Sequence, residues 1–209
     1  MKQEEVDAPK KNIVPIITDT EESAGDDSID SSLRDSAKEN LPFQTPIRRA
    51  EERVTKKPFG ILITEETSPV QPERFSGYHT GTDFEVFPEE LDTPVSIAAI
   101  CDGTLMSKAS VGGYGGVIVQ SCVHDNKPIT VVYGHLKLGS IASKQGDIIG
   151  RGDAIGMLGD NESRETDGER KHLHLGIHLG KTIHLRGYVS RQSELSNWID
   201  PLLLFSSEK

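Results

Sequence analysis

From Lys57 onward the sequence consists of short β-rich runs separated by glycine turn signals. The runs are GILIT, VSIAAI, GGVIVQSCV, ITVVYGHL, DAIGML and HLHLGIHL. Pairs such as DG, GG, GD and NK fall between them at the spacing typical of a sandwich or barrel. No segment between residues 58 and 193 has a helical period. The sequence therefore predicts one all-β domain over residues 58–205, a barrel-sandwich-like antiparallel sheet on which the apolar run NWIDPLLLF packs.

The residues before this domain differ in composition. Residues 1–40 are acidic and rich in Ser, Asn and Gln, residues 41–57 turn basic, and neither stretch has a helical or strand period. Such a composition cannot bury enough apolar surface to offset the entropy lost on ordering. We therefore expect residues 1–57 to form a disordered, acidic-to-basic linker, in which RRAEERVTKK is a solvated segment or a short helix. Residues 206–209 are expected to be a tail.

Charge and hydropathy exclude several classes of function. The net charge of −10 disfavours nucleic acid and anionic membranes as partners. No apolar run approaches the ~20 residues that a membrane span needs, and the first 30 residues contain no signal peptide. Either the protein acts in the cytoplasm, or Met1 is not its natural start.

The chain has two cysteines, too few for a disulfide scaffold. If the runs on either side of Gly112 and Gly113 form a hairpin, Cys101 and Cys122 lie nearly opposite each other. Their Cα atoms would then be about 4.5–5.5 Å apart, within reach of a disulfide. A disulfide and two reduced core cysteines both remain open.

The segment RKHLHLGIH, residues 170–178, holds three of the seven histidines. Because residues two apart in a strand face the same side, His172 and His174 point together. Their separation of about 6.5–7 Å suits two different tasks. One imidazole can bind a metal, and the other can contact the group that the metal activates. A structural pair on a solvated sheet face is the alternative. His178 would lie ~13 Å from His174 and is expected at a groove rim or surface.

Two further motifs lie upstream. In YHTGTDFEV, His79 and Asp83 offer the mixed nitrogen and oxygen ligands that suit zinc, and Gly81 allows the chain to turn so that they converge. His135 ends the β-run VVYGHLK, where a lone histidine is usually a surface residue. Each motif alone arises often by chance.

In this order, the motifs resemble those of the lysostaphin-type (LytM-like) zinc metalloendopeptidases, which cut peptidoglycan cross-links and have the duplicated hybrid motif. The stretches GGYGGVIV, KQGDIIGRGDAIGMLG and NWIDPLL resemble the family's glycine turn, paired glycine turns and closing Asn/Asp-Pro. The resemblance covers residues 75–205. It implies that three side chains bind Zn²⁺ and leave the fourth position to water: His79, Asp83 and His174.

The resemblance also implies roles beside the metal. His135 and His172 would be the catalytic pair, one taking a proton from water and the other donating a hydrogen bond to the oxyanion. Tyr133 is expected on the side of His135, facing the groove, and Tyr114 either walls the cleft or stacks on its turn. The implied partners are stem or cross-bridge peptides of peptidoglycan. The implied location is the cell envelope or the outside of the cell.

The sequence departs from the family pattern at three places. Gly176 stands where the family usually has an acidic residue. The charged run at residues 159–171 is longer than the family's polar turn, and is either a loop over one end of the groove or a solvated insertion. The stretch after Asp83 is also expanded, and its Glu85 and Glu89 are expected at the surface.

The sequence therefore predicts a zinc-dependent endopeptidase, a hydrolase of peptidoglycan cross-links. One alternative is a non-catalytic member of the same fold that binds peptidoglycan or activates a hydrolase. Another is a phosphocarrier domain of the glucose-permease type, which uses two facing histidines. Asp83 and the spacing of His172 and His174 fit a zinc site better than a phosphocarrier.

Overall fold

The computed structural model describes residues 42–205, which form an antiparallel β structure with short helical turns. The strands are β1 (Leu62–Ile63), β2 (Gly77–His79), β3 (Gly81–Glu85), β4 (Ser96–Ala98), β5 (Gly103–Val111), β6 (Gly115–His124), β7 (Lys127–Gly134), β8 (Ile148–Ile149), β9 (Ala154–Met157), β10 (His172–Leu179), β11 (Tyr188–Val189) and β12 (Trp198–Ile199). The helical segments are the 3₁₀ turns Ala50–Arg53, Pro88–Glu90, Leu138–Ser140 and Gln192–Asn197, and the helix α1 (Leu202–Phe205).

The largest sheet has the strand order β12-β10-β7-β6-β5-β8, and β3 also pairs with β10. Two smaller sheets, β1-β2-β11 and β4-β9, complete the described region. The strand pairs are antiparallel. The predicted all-β, antiparallel fold class is therefore confirmed.

Tight turns connect the long strands of the largest sheet. Asp125 and Asn126 join β6 to β7 with φ values of 49° and 58°, the two left-handed residues that a tight hairpin turn requires. Gly113, with a φ of 86°, lies in the turn between β5 and β6. These turns fix the registers of β5, β6 and β7. The pairing of β7 with β10 then places His174 opposite Gly134, the residue before His135.

Tyr133 belongs to the core, and its expected place in the groove is wrong. Its side chain is fully buried, and its hydroxyl donates to Gln120 Oε1 at 2.8 Å and accepts from the Ile100 N–H at 2.9 Å. Strand alternation would put residues 133 and 135 on one side. However, β7 ends at Gly134, and His135 has a φ of 63°. The left-handed residue breaks the alternation, and the two side chains diverge.

Residues 42–58, named the N-terminal strap here, pack against the β structure. Phe43, Ile47 and Ala50 are buried in the main hydrophobic core, where each large apolar side chain contributes about 1.5–3 kcal/mol. The guanidinium of Arg53 is bound by both carboxylate oxygens of Glu90 at 2.6 and 2.8 Å. The strap therefore differs from the solvated linker expected up to residue 57. Residues 1–41 and 206–209 lie outside the described residues.

The two cysteines form a disulfide, and the C-terminal apolar run packs on the largest sheet. Cys101 and Cys122 form a disulfide with their Cα atoms 6.2 Å apart, which agrees with one of the two sequence alternatives. Strand β12 pairs with β10, and Leu204 of α1 is buried, so NWIDPLLLF packs on the sheet as predicted. Among the described residues, no helix is long and apolar enough to cross a membrane.

Candidate metal centre

The step from β2 to β3 brings His79 and Asp83 together, one at the end of β2 and the other in the middle of β3. Gly81 packs closely on β10. A Cβ atom there would lie 2.5 Å from the carbonyl oxygen of Leu175 and 2.7 Å from the ring of His174. Glycine is therefore needed at position 81 because the strands approach closely, rather than because the chain turns.

The register of β3 and β10 places His174 directly opposite Asp83. Asp83 Oδ1 lies 3.1 Å from His174 Nδ1 and 3.4 Å from His79 Nε2, and these two nitrogens are 3.1 Å apart. All three side chains are buried. Three donor atoms bound to a tetrahedral zinc ion at ~2.1 Å stand roughly 3.4 Å from one another. The triangle therefore fits zinc in donor type and in size.

A hydrogen bond from outside the triangle determines which nitrogen His79 offers. His79 Nδ1 lies 3.2 Å from the carbonyl oxygen of Pro58 in the strap. A carbonyl only accepts, so Nδ1 carries the proton and Nε2 keeps its lone pair for a ligand. His174 presents its other nitrogen to the triangle: its Nδ1 faces Asp83 Oδ1, and its Nε2 lies 3.4 Å from the hydroxyl of Tyr114.

The ionisation states suit metal binding. Burial lowers the pKa of His174 to about 4, so its imidazole is neutral near pH 7, as a ligand must be. Burial acts to raise the pKa of Asp83, but the neighbouring His172 and His79 outweigh it and hold that pKa well below its usual value. The triangle therefore combines an ionised carboxylate with a neutral imidazole.

His135 and His172 lie beside the triangle, with ring centroids 4.2 Å apart. His172 Nδ1 donates to the carbonyl of Arg170 at 2.8 Å, and its Nε2 lies 3.3 Å from Asp83 Oδ2. His135 Nδ1 is buried and has no hydrogen-bond partner among residues 42–205. Burial, together with the neighbouring His172, lowers the pKa of His135 well below its usual value.

A cavity of about 330 Å³ opens beside Asp83, His135 and His174. Its lining includes Phe75 and Tyr188, whose rings stack with centroids 5.5 Å apart, and Tyr114. Tyr114 therefore walls the cleft, which was one of its two sequence alternatives. Burial, with the nearby charge of Asp83, raises the pKa of Tyr114, so its hydroxyl stays protonated at the edge of the cavity.

The charged run at residues 159–171 packs on the protein rather than extending into solvent. The carboxylate of Asp167 accepts the N–H of Gly113 at 2.8 Å, and Glu169 pairs with Arg74 at 2.8 Å. Glu169, Arg74 and Gly113 line the cavity. The interpretation of this run as a loop beside the groove therefore agrees with the structure better than a solvated insertion does.

Three other sequence expectations have mixed outcomes. Glu85 is buried against Arg170, so its expected surface position is wrong, whereas Glu89 is exposed. His178 is half-buried, with its ring centroid 4.0 Å from that of His184. A Cβ atom at Gly176 would lie 3.3 Å from His174 Nε2, so a larger residue there would crowd a side chain of the triangle.

Sequence reasoning missed several groups that surround the site. Lys57 and Glu73 form a buried ion pair at 2.6 Å, and Lys57 Nζ lies 3.2 Å from the hydroxyl of Tyr188. Both Lys57 and Tyr188 line the cavity. No local pattern marks Lys57 or Glu73, because they are 16 residues apart and meet only in the fold. Arg170 was also missed, although it continues the alternation of positions 172 and 174.

The model of Peptidase family M23 matches residues 77–185. The chain belongs to peptidase family M23. Membership confirms the lysostaphin-type resemblance of the motifs, and the family is one of zinc-dependent metallopeptidases. The matched region contains the triangle, His135, His172 and most of the cavity lining.

Individual relatives of this M23 domain are distant. Endolysin 2638A of Staphylococcus phage 2638A is 32% identical over 121 residues, which are 58% of this chain and 23% of the endolysin. The match therefore spans less than a quarter of that relative's length.

Two solved structures are similar to this chain. The structure of cbpa from L. salivarius REN is 23% identical, covering 79% of this chain and 95% of that one, with a TM-score of 0.51. The catalytic domain of lysostaphin from Staphylococcus simulans is 22% identical, covering 74% and 96% of the two chains, with a TM-score of 0.47.

Proposed function

We propose that this M23 domain is a zinc-dependent endopeptidase that hydrolyses peptide cross-links of bacterial peptidoglycan. One observation carries the proposal. Three buried donor atoms, His79 Nε2, Asp83 Oδ1 and His174 Nδ1, lie 3.1–3.4 Å apart. Two further histidines stand beside them, and one of these, His135, lines a cavity. Structural zinc sites are closed by four protein ligands, whereas catalytic sites have three and an open position.

A bound zinc ion would polarise the scissile carbonyl and make water a better nucleophile. The two outer histidines would move the protons. His172 is held in place by the Arg170 carbonyl at Nδ1 and by Asp83 Oδ2 near Nε2, and we assign it the hydrogen bond that stabilises the oxyanion. His135 has a free Nδ1 and is neutral because burial lowers its pKa. We assign it the transfer of a proton from water to the leaving amine.

The substrate and location follow from the same proposal. A stem or cross-bridge peptide would lie in the cavity, where the stacked rings of Phe75 and Tyr188 and the glycine turn at Gly113 offer a surface for an extended chain. The disulfide between Cys101 and Cys122 is typical of proteins outside the reducing cytoplasm. It therefore supports action at the cell wall.

The deciding experiment measures zinc content and hydrolysis of purified peptidoglycan in the same samples. We expect one zinc per chain in the unsubstituted protein, and the loss of both zinc and hydrolysis in His174→Ala. His184→Ala, a histidine outside the triangle, should retain both. His135→Ala and His172→Ala should keep the zinc but lose about 10²–10⁴-fold in rate.

Two outcomes would contradict the proposal. Zinc binding without hydrolysis of several wall types would favour the non-catalytic alternative, in which the domain binds peptidoglycan or activates another hydrolase. Absence of zinc from the unsubstituted protein would contradict the assignment of the triangle itself.

A further inference from the structure

Arg170 joins the buried carboxylates of β3. Its Nη2 donates to Asp83 Oδ2 at 2.9 Å, and its Nε donates to Glu85 Oε2 at 2.9 Å. The side chain of Arg170 is 13% exposed, and those of Asp83 and Glu85 are 3% and 11% exposed. A planar guanidinium can hold two carboxylates in fixed directions, because its donors point outward in a rigid fork.

The contact with Arg170 gives the two carboxylate oxygens of Asp83 different partners. Oδ1 faces His174 Nδ1 and His79 Nε2 within the triangle, whereas Oδ2 faces Arg170 and His172 Nε2. A carboxylate without such a partner can rotate and offer both oxygens to one cation. With Oδ2 held by Arg170, only Oδ1 remains available to the triangle.

The main chain of Arg170 acts on a second residue of the site. Its carbonyl accepts the Nδ1 proton of His172 at 2.8 Å, which directs His172 Nε2 towards Asp83. Arg170 directly precedes the Lys171–His172 step into β10 and lies at the end of the charged run 159–171. A single residue of that run therefore contacts both a side chain of the triangle and an outer histidine.

We propose that Arg170 is a positioning residue of the metal centre, which limits Asp83 to one metal-binding oxygen and so keeps a coordination position open. The inference rests on the proposed function, since it takes His79, Asp83 and His174 as the ligands. It also gives the charged run 159–171 a second role besides bordering the groove, because the run places the guanidinium of Arg170 beside the carboxylate of Asp83.

The test replaces the guanidinium and measures metal binding directly. In Arg170→Met we expect zinc affinity, determined by competition with a chelating dye, to fall by about 10–100-fold, the usual effect of losing a partner that orients a ligand. The cobalt-substituted protein should lose visible absorption intensity, because Asp83 released to bind through both oxygens raises the coordination number above four. Arg164→Met, an exposed arginine of the same run, should change neither.

A second variant separates positioning from simple charge pairing. Arg170→Met leaves the buried Glu85 with only the more distant Lys56, whose Nζ lies 3.7 Å from Oε2, and can impair folding. The double variant Arg170→Met with Glu85→Leu therefore removes both charges. If Arg170 positions Asp83, this double variant should fold, as judged by thermal unfolding of the metal-free form, and still bind zinc about 10–100-fold more weakly. Arg170→Lys, which keeps the charge without the fork, should recover only part of the affinity.

The outcomes distinguish this inference from the proposed function. Zinc affinity and a cobalt spectrum that are unchanged in Arg170→Met, or fully restored in the double variant, would overturn the positioning role alone. An unsubstituted protein that binds no zinc would overturn the proposed function, and the positioning role with it.

Discussion

The candidate metal centre and the anchoring side chains of the N-terminal strap are both buried in the same β structure. They nevertheless relate to the sequence in opposite ways. The centre is built from His79, Asp83 and His174, whose residue types and spacing already indicate a metal site. The strap is built from Phe43, Ile47 and Arg53, which lie in a stretch with the composition of a solvated linker. The strap nevertheless reaches the centre, because the carbonyl of Pro58 fixes the ring of His79.

This difference has a physical origin. Side chains two apart in a strand share a face whatever the rest of the fold does, so local spacing alone brings chemistry together in β10. Burial of the strap depends on surfaces formed by residues far along the chain, such as Glu90 for Arg53. The comparison predicts that the two regions respond separately to substitution, the strap through stability and the centre through metal binding.

The largest expected effect on stability comes from substituting Phe43, which is 2% exposed in the main core. Phe43→Ala should lower the free energy of unfolding by about 3–5 kcal/mol, through lost burial and the cavity left behind. Because Phe43 contacts none of the three donor side chains, we expect the same loss with and without zinc, and an unchanged zinc affinity. Urea unfolding of the zinc-free and zinc-bound proteins measures the loss of stability, and zinc titration of the folded protein measures the affinity.

Val123→Ala is the matched control, because Val123 is 62% exposed on β6. It should change the free energy of unfolding by about 0.5 kcal/mol or less. A loss of zinc affinity in Phe43→Ala would break the separation between the strap and the centre.

The fold class and the cluster of histidines could be predicted from the sequence because both depend on local regularities. Glycine-punctuated β-runs indicated the sheet, and alternation placed His172 and His174 together. Alternation misled for Tyr133, because the left-handed residue at His135 is invisible in the residue types. The roles of the site residues remain proposals until metal and activity are measured.

The pairings of the buried charges could not be predicted. Arg170 meets Asp83 and Glu85 across 87 and 85 residues, and Lys57 meets Glu73 only when the strap is docked. A sequence indicates which charges exist, but their partners depend on which strands become neighbours. For that reason Arg170 and Lys57 were missed, whereas the local motifs pointed to the three residues that we propose as ligands.

A smaller effect is expected where the strap borders the cavity. Lys57→Met removes the buried partner of Glu73, whose side chain is 1% exposed. Breaking such a pair costs about 3–5 kcal/mol. We expect the lower end, because the Ser68 hydroxyl and the Phe75 N–H still donate to Glu73. Chemical denaturation of the metal-free protein measures the loss.

The double variant Lys57→Met with Glu73→Leu should recover most of that stability, since no buried charge is then left alone. Zinc affinity should stay unchanged in both variants, because the main-chain N–H of Asp83 donates to the main-chain carbonyl of Lys57, which neither substitution removes. Weaker zinc binding in Lys57→Met would instead mean that the side chain of Lys57 also supports the metal centre.

The smallest effect concerns the ion pair between Arg53 and Glu90, and it depends on pH. The hydrogen bonds from Arg53 lower the pKa of Glu90 to about 2, against an opposing effect of burial. A carboxylate whose pKa is lower in the folded state stabilises the protein above its unfolded pKa and loses that contribution as the pH falls through the folded value. At neutral pH we expect Glu90→Gln to cost about 1–2 kcal/mol.

The difference in unfolding free energy between the unsubstituted protein and Glu90→Gln should therefore be constant from pH 7 to pH 5. It should then shrink as the pH falls from 4.5, the ordinary pKa of a glutamate, to about 2, the pKa of Glu90 in the folded protein. Urea unfolding of the metal-free forms across this range tests it, with the exposed Glu89→Gln as a control that stays near zero throughout. A difference that persists undiminished at pH 2 would mean that Glu90 is held by its neutral hydrogen bonds. The strap would then be fastened by packing of Phe43 and Ile47, without an electrostatic contribution.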